Sequence, residues 1–357
     1  CVLIVMAVLP AAAQQPLPPP QAVPRAMYVV DSTADAVDNN IGNGTCATAA
    51  GTCTLRAAVQ EANSVGSAHI QLSAALYLTS IAGGDDAAAV GDLDITGRVR
   101  ISGVASGSTT ISNGAGDRVF DIRPGGALFL DNVTVSNGTA TTPGGCIAVN
   151  TALLTLDFVR VANCSSTNLG GGVYVSNGAW VEIRDSQFNS NSALSGGGLS
   201  SQNIADQSTS GTMIVERSLF LMNSSSGGFG GAIGNIGQDL FIRNSTFVGN
   251  SAGSGGAIAF LQTVSATVVI EHTTIVGNSA TTGGGFTISS SSVLLTLHNS
   301  IVAGNAATVG PDCKNTIVPP VYYGEGVNFI GDTTDCAAEN IGAVVLTGDP
   351  KLLLLDE

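Results

Sequence analysis

A right-handed parallel β-helix, an all-β solenoid of about 27 residues per coil with a short N-terminal capping helix, is the fold that this sequence predicts. The first observation behind it is a repeat between Leu128 and Asn305, with lines such as WVEIRDSQFNSN, LFIRNSTFVGN and VVIEHTTIVGN. In steps of 26 to 32 residues, the lines close at Gly138, Cys164, Asn191, Asn223, Asn250, Asn278 and Asn305. A period held this closely, with one longer insertion, is the signature of a solenoid.

The second observation is the short period inside each line. Apolar and β-branched residues, such as Leu154 and Leu156, stand in short runs with polar residues interleaved, which is the strand pattern. No line offers the ten or so residues of helical pattern that a crossover helix needs. Glycine clusters such as Gly196-Gly197-Gly198 separate the lines and supply turns, because glycine accepts positive φ.

The third observation is the asparagine that closes most of the lines. In stacked parallel coils these side chains lie one above another at ~4.8 Å, so each amide can bond the next. We therefore expect an Asn ladder, formed by Asn191, Asn223, Asn250, Asn278 and Asn305.

A column of charged residues supports the same register. One position per coil is occupied in turn by Asp157, Arg184, Glu216, Arg243, Glu271 and His298, and the sign of the charge alternates. Neighbouring opposite charges stabilise a sheet, although exposed pairs contribute only ~0–1 kcal/mol each. A stabilising charge ladder is the favoured interpretation, and a charged binding strip is the alternative.

These features divide the chain into five segments. We predict a partial signal peptide at residues 1–13, a Pro-rich linker at residues 14–26, and an N-terminal cap with the first coils at residues 27–126. The regular coils occupy residues 127–310. Residues 311–357 are predicted to form a C-terminal cap that contains a disulfide and that is truncated.

Composition and charge exclude several classes of function. The net charge of −14 argues against nucleic acid and anionic lipid surfaces as partners. The apolar stretch near the N-terminus is shorter than the ~20 residues of a membrane span. Glycine makes up 46 of 357 residues and aromatic residues only 5%, as thin coils with small corner residues require. We expect an exported monomer.

Six of the seven cysteines fall into three local pairs, which are Cys46 with Cys53, Cys146 with Cys164, and Cys313 with Cys336. Many connectivities are possible, and the clustering favours this sequential one. The spacing does not resemble a zinc site, since no CxxC and no His accompanies it. Disulfides are the predicted state, and free buried thiols are the alternative.

A short amphipathic helix is predicted after Cys53. Its apolar residues fall at i, i+3, i+4 and i+7, and Thr54 is a good N-cap. Such a helix would cover the open end of the first coil, which a solenoid must protect. The residues assigned to it are Thr54, Leu55, Arg56, Ala58, Val59 and Ala62.

The chain resembles families of secreted bacterial proteins. The stretch from Tyr28 to about Gly126 is similar to the CSLREA domain, whose naming motif stands here as Cys53-Thr54-Leu55-Arg56-Ala57-Ala58, with Gly91-Asp92-Leu93-Asp94-Ile95 as a flanking match. The tail from Asn299 to Leu352 resembles choice-of-anchor proteins, and the Gly-Gly-Ala-Ile units resemble polymorphic outer-membrane protein repeats. These resemblances imply a pectin-lyase-like β-helix at a bacterial cell surface.

No constellation in the sequence predicts a catalytic, cofactor or metal site. The candidate carboxylate pairs for glycoside hydrolysis are Asp85 with Asp86 and Asp92 with Asp94, and both are interpreted as structural. Acids are scarce in the regular coils, and no coil shows the Asp, Arg and Lys cluster that a lyase cleft requires. A phosphate-binding loop and a dinucleotide fingerprint are absent too.

We therefore predict a non-catalytic secreted or surface-exposed β-helix module, a structural stalk or adhesin-like protein of a bacterial outer envelope. Its partner would be a polysaccharide or a host or cell-surface protein. The alternative is a polysaccharide-degrading or polysaccharide-binding enzyme of the pectate-lyase-like class, a lyase or a glycoside hydrolase, since the fold permits catalysis without implying it.

Overall fold

The structure is a computed structural model of the 357-residue chain. It describes residues 26–176, 178–203, 211–261, 265–315, 317, 322–336, 339–340 and 344–352. The predicted signal peptide and almost all of the predicted linker lie outside the described residues.

The chain forms a right-handed parallel β-helix of about 27 residues per turn, which confirms the predicted fold class. Its longest sheet, sheet 1, has 12 strands in the described part of the chain. They are β1 (Ala26–Val29), β2 (Ser67–Gln71), β5 (Arg98–Ser102), β8 (Ala127–Asp131), β12 (Leu153–Asp157), β16 (Trp180–Arg184), β20 (Thr212–Glu216), β24 (Asp239–Arg243), β27 (Ala266–Glu271), β30 (Val293–His298), β33 (Tyr322–Glu325) and β35 (Glu339–Asn340).

Sheet 2 follows sheet 1 in each coil and has 11 strands in the described ranges of the chain. They are β3 (Leu76–Thr79), β6 (Thr110–Asn113), β9 (Thr134–Ser136), β13 (Arg160–Ala162), β17 (Gln187–Asn189), β21 (Leu219–Leu221), β25 (Thr246–Val248), β28 (Thr274–Val276), β31 (Ile301–Ala303), β34 (Val327–Ile330) and β36 (Val344–Leu346). Neighbouring strands run parallel, as β13 does with β9 and β17.

Sheet 3 closes the coil, and a short sheet 4 lies between sheets 2 and 3 in the central coils. The strands of sheet 3 are β4 (Leu93–Ile95), β7 (Phe120–Ile122), β11 (Ile147–Val149), β15 (Val173–Val175), β19 (Leu199–Ser201), β23 (Ile233–Asn235), β26 (Ile258–Phe260), β29 (Phe286–Ile288) and β32 (Cys313–Asn315). Those of sheet 4 are β10 (Thr139–Ala140), β14 (Ser165–Ser166), β18 (Ser192–Ser195) and β22 (Ser224–Phe229).

The core fills the inside of the coils with columns of like residues. Phe188, Phe220 and Phe247 stack face to face at ring-centroid distances of 4.7 and 4.8 Å, and all three are fully buried. Burying a side chain of this size contributes roughly 1.5–3 kcal/mol. A smaller cluster of Ile214, Phe241 and Val269, with Trp180 packed against it, is separate from this core. The sequence pattern does not single out that second cluster.

Helix α1 (Leu55–Val65) packs against β1, β2, β4 and β5, at the N-terminal end of the core. The Thr54 hydroxyl accepts a hydrogen bond from Ala57 N, and Gly66 ends the helix with φ of 78°. The polar face is buried as well as the apolar one. Gln60 accepts a bond from Asp38 N, and Glu61 accepts from Gly42 N, so the segment before the helix covers it.

The asparagines form a ladder at the corner after sheet 2. Each Nδ2 donates to the Oδ1 of the next coil, at 2.9 Å from Asn191 to Asn223 and 3.0 Å from Asn223 to Asn250. The next two steps, Asn250 to Asn278 and Asn278 to Asn305, are both 2.9 Å. The ladder then ends on Asp312, a residue that the sequence pattern does not include.

The charged column lies on sheet 1 in the expected register, with Asp157, Arg184, Glu216, Arg243, Glu271 and His298 side by side. Arg184 and Glu216 are 3.2 Å apart, and Arg243 and Glu271 are 3.0 Å apart. The alternation does not extend to the first coils, where Asp157 lies beside Asp131. Burial and the Asp131 carboxylate raise the pKa of Asp157.

The three predicted cysteine pairs are disulfide-bonded: Cys46 with Cys53, Cys146 with Cys164, and Cys313 with Cys336. The second starts the Asn ladder, because Cys164 N donates to Asn191 Oδ1 at 3.0 Å. The third disulfide begins at Cys313, the residue after Asp312, on which the ladder ends. The ladder is therefore held at both ends by a covalent link.

We expect Asn250→Ala to lower the free energy of unfolding by about 3 kcal/mol, because it removes the acceptor of Asn223 N and of one Asn223 Nδ2 hydrogen bond, and one donor each to Asn278 Oδ1 and Phe220 O, in a buried corner. Chemical denaturation measures the change. The control is Asn189→Ala, since Asn189 is half-buried on a strand of sheet 2. Equal, small losses in both variants would contradict a stabilising ladder.

Candidate functional site

Charged residues from two successive coils meet near the end of sheet 3 that is closest to helix α1. They surround a cavity of about 470 Å³. Its lining, here called the acidic pocket, consists of Gly84, Asp85, Asp86, Asp92, Asp117, Arg118, Asp121 and Arg123. The loop between β3 and β4 supplies one wall, and the residues around β7 supply the other.

This cluster, which lies before the regular coils, is not singled out by the sequence analysis. Asp85, Asp86 and Asp92 lie in the same cavity as acids and arginines of the next coil, so the first coils do carry an Asp and Arg cluster. The sequence feature that indicates this cluster is the spacing of one coil between two similar tripeptides, Leu93-Asp94-Ile95 and Phe120-Asp121-Ile122. Stacking in register places Asp94 beside Asp121.

The loop that forms the first wall is held by Arg56 of helix α1, whose side chain is completely buried. Its Nε lies 2.6 Å from Asp35 Oδ1, and its terminal nitrogens donate to the carbonyl groups of Ala88, Gly91 and Asp92. Asp35 also accepts bonds from Ser80 N and Ile81 N, where the loop begins. Burial alone would raise the pKa of Asp35, but the bonds from Arg56 and the loop lower it.

Asp121 lies at the centre of the second wall and accepts three hydrogen bonds. Arg118 Nη1 and Arg123 Nη1 donate to Oδ2 at 3.1 and 3.0 Å, and Asn150 Nδ2 donates to Oδ1 at 2.6 Å. Each of the two arginines also contacts a second residue. Arg118 Nη2 donates to Thr142 Oγ1, and Arg123 Nη2 lies 3.0 Å from Asp86 Oδ2.

The buried carboxyl groups of Asp92 and Asp94 have few polar partners. Asp92 is 6% exposed, its carboxyl accepts no hydrogen bond from the described residues, and Arg118 Nε is 3.6 Å from its Oδ2. Burial, together with the charge of Asp94, raises the pKa of Asp92 to about 8. Asp94 is 0% exposed, and only Oδ2 has a partner, Ala88 N at 3.1 Å. Burial and the charge of Asp121 raise the pKa of Asp94 to about 6.

The arrangement therefore places Asp92, whose pKa is raised to about 8, in the same cavity as Asp121, which accepts three hydrogen bonds. A carboxyl group with a raised pKa near a second carboxyl group is typical of general acid and base pairs. No group of three or more His, Cys, Asp or Glu residues in the described ranges is arranged to hold a metal ion.

A nucleophile pattern elsewhere belongs to the repeat. Gly249-Asn250-Ser251-Ala252-Gly253 spells Gly-x-Ser-x-Gly, which in hydrolases places the serine on a sharp turn between a strand and a helix. Here Asn250 belongs to the Asn ladder, and Ser251 makes parallel bridges with Ser224 and Ser279 of the adjacent coils. The pattern is a corner of the coil.

Among the described residues, no helix is both long and apolar enough to cross a membrane. No protein-family model matches the chain, and no curated protein matches it. The resemblance to the CSLREA domain therefore stays a prediction.

Three solved structures are similar to this chain. A pectin methylesterase from Aspergillus niger is 13% identical, with 84% of this chain and 92% of that chain covered and a TM-score of 0.47. A pectate lyase is 12% identical, with 92% and 79% covered and a TM-score of 0.47. The mannuronan epimerase module from Azotobacter vinelandii is 10% identical, with 83% and 95% covered and a TM-score of 0.33. None reaches a TM-score of 0.5, so the chemistry of the site rests on its own residues.

We expect Asp92→Asn to stabilise the protein at pH 8 by a few kcal/mol and to have little effect at pH 4. The folded-state pKa of about 8 lies above the value of ~3.9 in the unfolded chain, so the folded state binds more protons between these pH values. Wild-type stability is therefore lost as pH rises through that window, and the amide removes the loss.

Thermal or chemical unfolding between pH 4 and pH 9 measures this effect. Asp349→Asn is the control, since that side chain is 66% exposed. A pH dependence that is the same in wild type and Asp92→Asn would show that Asp92 titrates normally.

Proposed function

We propose that this chain is a non-catalytic secreted or surface-exposed β-helix module, a structural stalk with adhesin-like outer faces, at a bacterial envelope. The observation that carries the proposal is the pairing of charges along the regular coils. Arg184 and Arg243 each bind the acid of the next coil instead of converging on a cavity. Such charges stabilise the stack and leave few free groups for chemistry.

The length of the stack and the disulfides support this role. The strands of sheet 1, at ~4.8 Å spacing, extend over roughly 50 Å, and a solenoid of this kind offers a long continuous surface to partners. Disulfides form and persist in oxidising compartments, which fits export. The bacterial envelope follows from the resemblances of the sequence, and a polysaccharide or a surface protein is the partner proposed.

We expect no new reducing or unsaturated ends when the purified chain is incubated with a panel of plant and microbial polysaccharides, with and without calcium. Bound protein is scored in the same assay by co-sedimentation with the insoluble polymers. Binding without cleavage would indicate a carbohydrate-recognising surface, and no effect would favour a protein-binding stalk. Cleavage of any polymer would contradict the non-catalytic role.

A second candidate function, a polysaccharide-degrading or polysaccharide-binding protein, is favoured by the acidic pocket. Asp92 can donate a proton at neutral pH, because its pKa is about 8, and the neighbouring Asp121 is kept in place by three donors. Glycoside hydrolysis requires an acid of this kind beside a second carboxyl group. The pocket is open to ligands on the outside of the coil.

If a polymer is cleaved, Asp92→Asn is expected to lower the rate by about 100-fold or more, because the amide has no acidic proton to give. The wild-type rate should also fall as pH rises through about 8, where Asp92 loses its proton. Asp349→Asn serves as control because it makes the same chemical change on an exposed side chain. Full activity of Asp92→Asn would exclude this acid.

A further inference from the structure

The acidic pocket has a charge that selects among glycans. Five carboxyl groups and two guanidinium groups line it, a formal charge of −3 when all of them are ionised. Asp92 is mostly neutral at pH 7, and Asp94 lies directly behind the lining beside Asp121. An anionic ligand therefore meets a negative potential inside a partly buried site, where charges are weakly screened.

Both arginines have their terminal nitrogens engaged by protein groups. Recognition of a sugar carboxylate uses two parallel N–H donors of one guanidinium. Arg118 directs Nη1 to Asp121 and Nη2 to Thr142, and its Nε faces Asp92. Arg123 directs Nη1 to Asp121 and Nη2 to Asp86. Each guanidinium therefore already makes at least two polar contacts within the protein.

The pocket does offer groups that hydroxyls can use. Asp92 is nine-tenths buried, lines the cavity and accepts no hydrogen bond from the described residues; Arg118 Nε is the ion-pair partner of Oδ2, so Oδ1 is the oxygen left for a ligand. Asp85 and Asp117 lie within the same lining. Sugar hydroxyls both donate and accept, which suits a protonated carboxyl beside carboxylate oxygens. A volume of about 470 Å³ is within the range of ~300–1,000 Å³ that is common for small-ligand sites.

We propose that the acidic pocket binds an uncharged glycan through its hydroxyl groups and rejects uronates. The proposal rests on the second candidate function, the polysaccharide-directed role, and names its ligand class. The opposite specificity would require a guanidinium fork for the sugar carboxylate, and both terminal nitrogens of Arg118 and of Arg123 already contact protein groups. Binding does not depend on whether the ligand is then cleaved.

The test is calorimetric titration of the full chain with six hexasaccharides at pH 7. Five are uncharged, made of β-1,4-glucose, α-1,4-glucose, xylose, mannose or N-acetylglucosamine, and one is oligogalacturonate. We expect at least one uncharged hexasaccharide to bind, and Asp92→Ala to weaken that binding by at least 10-fold, because it removes the carboxyl group offered to the sugar hydroxyls. Oligogalacturonate should bind at least 10-fold more weakly than the best uncharged ligand.

A gain-of-binding variant keeps the test independent of folding defects. Asp86→Lys changes a side chain that is 72% exposed, lowers the formal negative charge of the lining by two and releases Arg123 Nη2. We expect this variant to bind oligogalacturonate at least 10-fold more tightly than wild type does. Glu325→Lys, on sheet 1 and outside the pocket lining, is the matched control and should leave oligogalacturonate binding unchanged.

The outcomes separate the two claims. If oligogalacturonate binds wild type more tightly than every uncharged hexasaccharide, the ligand class proposed here is wrong and the polysaccharide-directed role survives. If no hexasaccharide binds, both fail. If an uncharged ligand binds equally well to Asp92→Ala, the ligand sits elsewhere on the chain and the acidic pocket is not its site.

Discussion

Stacking in register places each residue beside its counterpart one coil away, at the ~4.8 Å spacing of parallel strands, and most of this molecule depends on that constraint. A favourable contact between two like residues is then repeated in many coils. Amides become the Asn ladder, and phenylalanines become the stack of Phe188, Phe220 and Phe247. A shift of one residue would turn each apolar side chain out of the core, so the repeat must be kept closely.

The same constraint has an opposite effect on charged residues. Where the sign alternates, as between Arg243 and Glu271, neighbours form ion pairs. Where Asp94 lies beside Asp121, stacking brings like charges together, and the protein responds in two ways. Arg118 and Arg123 bind Asp121, and burial together with the neighbouring carboxylates raises the pKa of Asp92 and of Asp94, so protonation relieves the repulsion. The acidic pocket is thus a place where the repeat brings like charges together.

The two candidate functions belong to different parts of the chain and are compatible. In the regular coils the Asn ladder and the ion pairs of sheet 1 join one coil to the next. In the first coils the loop between β3 and β4 interrupts the repeat and is held by Arg56 from the capping helix. A cap that positions a binding loop at one end of a rigid stack would present a ligand site at a distance from the other end.

The fold class can be predicted from the sequence alone, since a period near 27 residues and short strand patterns leave few other ways to bury the apolar faces. The sequence also indicates which residues lie beside one another at each corner, because residues one period apart in a solenoid are neighbours in space. Only the tertiary structure shows the contacts between segments that do not repeat. The burial of the polar face of helix α1, the contacts of Arg56 and the acidic pocket all join segments with no common period. Their distances depend on how a loop folds over the first coils, and that folding leaves no periodic trace in the sequence.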